Sequence, residues 1–313
     1  MEVIGLIDNF IMIAQQVLVL FILIGIGFIC GKKGILTDSS SKKMTDIVLY
    51  VVTPCVMISA FQREFSMELL GNILITAVCS ALIIGATILI AYLVLHDKKD
   101  GRQKVLRFAT IFSNCGFMSL PLQKAILGDD GWFYGSIFVA VFNIIIWTYG
   151  LVMMSGDKKQ MSLKKLAFNP GIIGVVIALI LFVCRIDLPY IISEPVDYLA
   201  ALNTPVPMLI IGFYLSQASL KRAFTDAKAY LAMALRLAAV PLGATLVMCL
   251  LRVDPVITVT CIIATAAPAA ATTTMFAAKF DKDVELSVSL VASTTLVSIV
   301  TMPLVVALSQ TLA

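Results

Sequence analysis

Apolar residues run along this chain in blocks of about twenty, the length a helix needs to cross ~30 Å of hydrocarbon at ~1.5 Å per residue. Ten such blocks can be drawn, over residues 7–30, 44–61, 67–95, 105–127, 132–154, 167–184, 196–216, 229–251, 255–279 and 286–312. Short charged loops separate them, and the positive charge is one-sided. The loops after the first, third, fifth, seventh and ninth blocks hold four, five, four, three and two Lys or Arg residues, starting at Lys32, Lys98, Lys158, Lys221 and Lys279. The intervening loops hold one each, Arg63, Lys124, Arg185 and Arg252. Cytoplasmic loops retain positive charge. The pattern therefore predicts an all-α integral membrane protein, multi-pass in a cytoplasmic-type cell membrane, with both termini outside.

The second span reads Thr53-Pro54-Cys55-Val56-Met57 and the seventh Thr204-Pro205-Val206-Pro207-Met208. A Thr-Pro pair at the same place in each half points to an internal repeat, with helix breaks expected at Pro54 and Pro205. Because five spans per half is an odd number, the halves enter the membrane from opposite sides, giving the inverted repeat that many secondary carriers use. The expected division is residues 1–154, a cytoplasmic linker at 155–166, and 167–313.

The fourth span of each half is the most irregular. One carries Ser113-Asn114-Cys115-Gly116 followed by Pro121; the other carries Pro268-Ala269-Ala270-Ala271-Thr272. Proline removes an amide donor and crowds the preceding turn, while Ser and Asn offer the freed backbone other partners. Both spans are thus expected to break near the bilayer centre, where unpaired backbone survives only inside protein or beside a wet cavity. Helix starts there present free N–H groups and a positive dipole end of roughly half a charge. Two such starts would make an anion site, with small alanines letting a ligand approach the amides. Small residues also simply permit close helix packing; it is the occurrence of a break in both halves that favours a binding site.

Composition narrows the function. Of 313 residues, 60% are hydrophobic and 13% charged, with a mean hydropathy of +1.01. The net charge of +4 comes without a basic tract interleaved with aromatics, so nucleic acid is not an expected partner. Seven cysteines lie singly in apolar segments, and the one histidine, His96, sits at a helix end, so no metal, cofactor or catalytic triad is implied. Glu2 and Asp8 precede the first apolar run without a basic leader, so the first helix should be retained. Arg236 lies about two turns into span eight, and a charge at that depth is costly unless paired or wet. It is a candidate for balancing an anionic substrate, snorkelling to the headgroups being the alternative. Asp46 and Lys124 read as interfacial, and Gln15, Gln16, Asn143 and Asn203 as cavity lining or interhelical contacts. An intramembrane protease is disfavoured because Asp129 and Asp130 share a loop instead of facing each other from two spans. A passive anion channel stays open as an alternative, since helix breaks also build pores.

Three stretches resemble the bacterial branch of the auxin efflux carrier family, the PIN-like permeases. They are Ser113 to Leu122, residues 168–216 with Asn169-Pro170 and Leu188-Pro189, and residues 264–304 around Pro268. The resemblance implies a scaffold of spans 1, 2, 6 and 7 and a mobile unit of spans 3–5 and 8–10, in which the broken fourth and ninth helices cross. It implies alternating access to a midplane site beside that crossing. Asn114 matches the family's crossover asparagine and Pro268 its ninth-helix proline. Ser113 stands where plant relatives have proline, and Ala269 where they have a polar residue, so auxin specificity is not carried over. The expected function is secondary transport of a small organic anion, a mono- or dicarboxylate or an auxin-like acid, with the lipid bilayer as surroundings and a homodimer as one open oligomeric state. The expected substrate-binding residues are Ser113, Asn114, Cys115, Gly116, Pro268, Ala269, Ala270, Thr272 and Arg236.

Overall fold

The computed structural model describes residues 2–157, 159, 168–217 and 226–313, so most of the linker at 155–166 lies outside the described residues. In chain order the helices are α1 (Glu2–Lys32), α2 (Asp38–Ala60), α3 (Met67–Val94), α4 (Asp100–Ile111), α5 (Cys115–Ser155), α6 (Pro170–Val183), α7 (Tyr190–Ala201), α8 (Pro205–Gln217), α9 (Ala227–Leu250), α10 (Pro255–Ala266), α11 (Thr272–Lys279) and α12 (Val284–Leu312). No strand occurs among the described residues. Starts are set by short polar side chains that accept orphan amides: Ser66 from Leu69, Asn169 from Gly171 and Ile172, Asp226 from Lys228 and Ala229, and Asp254 from Val256 and Ile257. Pro170 and Pro255 follow their caps at a position where a missing N–H costs nothing.

Seven helical stretches are long and apolar enough to cross a membrane, against ten expected blocks. The difference has a local cause. Blocks four and five join in α5, which runs 41 residues as two limbs through a sharp kink at Gly128, whose φ of 64° and ψ of −142° only glycine adopts easily. The remaining shortfall comes from the sixth block, where α6 is only 14 residues long, and from the ninth, which is interrupted into α10 and α11.

Two of the three prolines expected to break helices do not. At Pro54 and Pro121 there is no break: each follows a widened turn, Val48–Val52 and Cys115–Ser119, and the helix continues. Pro241 in α9 does the same after Leu235–Ala239. The π turn moves the carbonyl that the ring would strike and leaves no ladder bond to be donated by the missing N–H. Thr53 completes the first case by donating its hydroxyl to Val48 O at 2.9 Å. Pro205, by contrast, opens α8 after a turn at 202–204.

α1 packs chiefly on α8, and α2 on α6, while α12 runs through the interior beside α1 and α10. The buried hydroxyls of α12 return to carbonyls of their own helix, as Ser293 does to Ser289, Thr294 to Leu290 and Thr295 to Val291, each at 2.7 Å. That makes small polar residues tolerable in an apolar core. Large apolar side chains such as Leu74, Leu82, Leu89 and Leu93 of α3 point outward, as a lipid-facing surface requires. At one end, Asp97 accepts from Arg102 and Lys228 at 3.0 Å each, and Arg102 also reaches Asp226, tying the α3–α4 loop to the start of α9. The Lys99 amide that Asp97 accepts, together with these cations, holds its carboxyl below the usual range.

Candidate functional site

The two interruptions meet. α4 ends at Ile111 and Phe112 turns extended, with φ −100° and ψ 111°; α10 ends at Ala266 and Ala267 turns extended, with φ −61° and ψ 150°. The two extended pieces lie antiparallel and pair Ser113 with Ala269. Asn114 N–H donates to Pro268 O at 2.7 Å, and Ala270 N–H donates to Phe112 O at 2.9 Å. Ala269 N–H donates to Thr294 Oγ1 of α12 at 3.1 Å. Each break thus supplies partners for the other's freed backbone, which is how non-helical chain is kept at membrane depth.

This pairing corrects one expectation. The amides of Ala269 and Ala270 are occupied and cannot be the donors that face a ligand. The orphan donors lie one step further on, mainly at the first turn of α5, from Cys115; in α11 Thr273 N–H and Thr274 N–H already donate to Ala270 O and Ala271 O, which leaves Thr272 N–H, and neither start has a side-chain cap.

A cavity of about 610 Å³ lies against the crossing. Ser113, Asn114, Gly116, Ala270 and Thr272 contribute to its wall. Cys115, Pro268 and Ala269 do not; they are held inside the crossing itself. The opposite wall comes from α2, through Thr53, Val56 and Met57, and from α8, through Pro207, Ile210 and Ile211. Asn143 and Trp147 of the second α5 limb close one side, and Lys42 and Asp46 stand at the mouth.

Asn114 is the most informative residue here. It is 6% exposed, it forms no cap on α5, and its carboxamide has no hydrogen-bond partner among the described residues. A carboxamide so enclosed ordinarily bonds to something. The backbone of Asn114 holds the crossing, while Asn114 also lines the cavity. Asn203 is used differently: its Nδ2 donates to Gly116 O at 3.0 Å and ties the turn before α8 to the start of α5.

Arg236 does not reach the cavity wall. It is 2% exposed and donates to the carbonyls of Thr110 at 2.9 Å, Ile111 at 3.1 Å, and Thr265. Direct contact with a substrate in this cavity is therefore excluded in the present conformation, and so is snorkelling. Lys124 pairs with Asp129. Gln15 and Gln16 lie off the cavity, whereas Asp46, Asn143 and Asn203 line it. Thr53, Trp147 and Lys42 are wall residues that the sequence did not single out; the Thr-Pro repeat was a signal for Thr53, and a tryptophan inside an apolar block was one for Trp147.

The membrane transport protein family matches the chain twice, over residues 12–162 and 157–306, so that each match contains one of the two interruptions. An uncharacterized transporter of Methanothermobacter thermautotrophicus is 24% identical over 297 residues, covering 93% of this chain and 96% of the relative. An uncharacterized transporter of Methanocaldococcus jannaschii is 25% identical over 221 residues, covering 66% of this chain and 70% of the relative. The chain belongs to the auxin efflux carrier-like membrane transport protein family, a family of transporters rather than of enzymes.

Proposed function

We propose that the protein is a secondary transporter that carries a small organic anion, a mono- or dicarboxylate or an auxin-like acid, by alternating access at the crossing. The observation that carries this reading is the unpartnered carboxamide of Asn114 beside two uncapped helix starts in one cavity. Donors and positive dipole ends converge there, and Asp46 at the mouth is the sole acid among the wall residues. An anion supplies the charge this arrangement lacks.

In the ten-span, inverted five-and-five reading, Lys42 belongs to the positively charged cytoplasmic side. The cavity is then open inward. The outer side is closed by Arg63, which donates to Asp130 at 2.9 Å, and by the Asn203–Gly116 bond. The first contact joins the loop after α2 to α5, and the second joins the turn before α8 to α5. Breaking them while the unit slides would expose Asn114 to the other side, and both closures would reform on return.

The test is counterflow with purified protein in liposomes, using labelled malate, malonate, lactate and indole acetate. Saturable exchange of at least one of them, accelerated by unlabelled anion inside, is expected. An unsaturated conductance would instead assign a passive anion channel.

A further inference from the structure

Arg236 stands in the widened turn Leu235–Ala239 of α9 and takes no acid as partner among the described residues. Its donors go to carbonyls in the last turns of α4 and α10, the two half-helices that end at the crossing. A helix C-terminus carries roughly half a negative charge. Two of them meeting in an apolar interior repel each other and oppose any anion held nearby. One guanidinium lodged between them balances both, and its planar fork of donors suits several carbonyls at once. Its Nε has no partner, so the group is placed for these carbonyls and not for complete satisfaction of its own donors.

The other two ends at the same crossing are treated differently. The starts of α5 and α11 carry no acidic cap, and no carboxylate reaches them from the cavity wall, where Asp46 lies at the mouth. Negative ends are met by a cation, and positive ends carry no countercharge. We infer that Arg236 is a positioning residue that sets the sign of charge the crossing accepts: by cancelling the paired C-termini it leaves a net positive potential at Asn114, and so selects anions over neutral molecules of the same shape. This inference rests on the proposed function, since it presupposes an anion at that cavity.

The experiment compares, in liposomes, the carboxylate with the largest counterflow and its own neutral amide, the amide read as an inhibitor of that counterflow. Wild type, Arg236→Gln, Arg236→Met and Arg236→Lys are measured side by side. Wild type is expected to favour the carboxylate. The Gln and Met variants should lose about tenfold of that preference, the size of a helix-end charge effect in a partly buried site, with the amide changing about twofold or less. Arg236→Lys should restore most of the preference. Equal losses for acid and amide, or an unchanged ratio in Gln and Met, would show a purely structural residue and overturn the inference while leaving the transporter reading intact. If neither neutral variant folds, Arg236→Lys decides alone: a preserved ratio upholds the inference and a collapsed one overturns it. Absence of any carboxylate counterflow in wild type sinks both.

Discussion

Asn114→Ala is expected to abolish most substrate affinity without weakening the fold. The contribution of Asn114 to the crossing comes from its main chain, whose N–H holds Pro268 O and whose carbonyl accepts from Met118 N. Alanine keeps both bonds. What it removes is a carboxamide that is 6% exposed and bonded to nothing among the described residues. A hydrogen bond from such a group to a carboxylate is worth about 1.5–3 kcal/mol, so affinity should fall roughly 10- to 100-fold. Because the carboxamide faces the cavity and bonds to no described group, the ligand-free variant should melt at about the wild-type temperature. Counterflow kinetics and a detergent melting curve on the same preparation check both halves. Normal transport in the variant would remove Asn114 from the site, and a large loss of stability would assign it to the framework instead.

Gly212→Ala should cost the most stability for the smallest chemical change. α1 and α8 meet backbone to backbone: a methyl on Gly212 would fall 2.0 Å from Ile24 O and 2.6 Å from Phe28 N, and one on Gly27 would fall 2.3 Å from Leu209 O. Those obstacles are main chain, so the helices must separate. Inside a bilayer such pairs are held by close packing, with little hydrophobic drive to restore them. Overpacking of this kind costs about 1–3 kcal/mol. Gly25→Ala is the matched control, because a methyl there meets nothing within 4 Å and alanine is the better helix former by about 1 kcal/mol. Opposite signs at positions 212 and 25, read as melting temperatures, are the expected result.

How much of this was legible in the sequence depended on the range of the interaction. The long helices followed from apolar blocks alone, as α3 and α12 illustrate. The meeting of the two interruptions was foreshadowed because Asn114 and Pro268 each sit among small residues in mid-block. What Pro54 and Pro121 do was not legible, since a proline can end a helix or be absorbed by a π turn, and the choice depends on whether the preceding carbonyl has somewhere to go. The pairing of Ala270 N–H with Phe112 O was also hidden, because sequence counts the freed amides without saying which strand of the other half will take them. Arg236 shows the same limit: its acceptors Thr110 and Ile111 lie more than a hundred positions away in sequence, on a different repeat. The cavity wall gathers side chains from α2, α5, α8 and α11, so Thr53 and Trp147 gain a role only once the helices are assembled.

The central claim is that the transported anion occupies the cavity beside the crossing. The most direct measurement is alkylation of Ala271→Cys, a wall position, in a background where Cys184, the exposed native thiol, is serine. Ile35→Cys, exposed in the loop between α1 and α2 and off the cavity wall, serves as the reference. The account predicts that the counterflow substrate slows labelling at 271 with a half-effect near its KM and leaves labelling at 35 unchanged. Full labelling at 271 under saturating, actively exchanging substrate would contradict it.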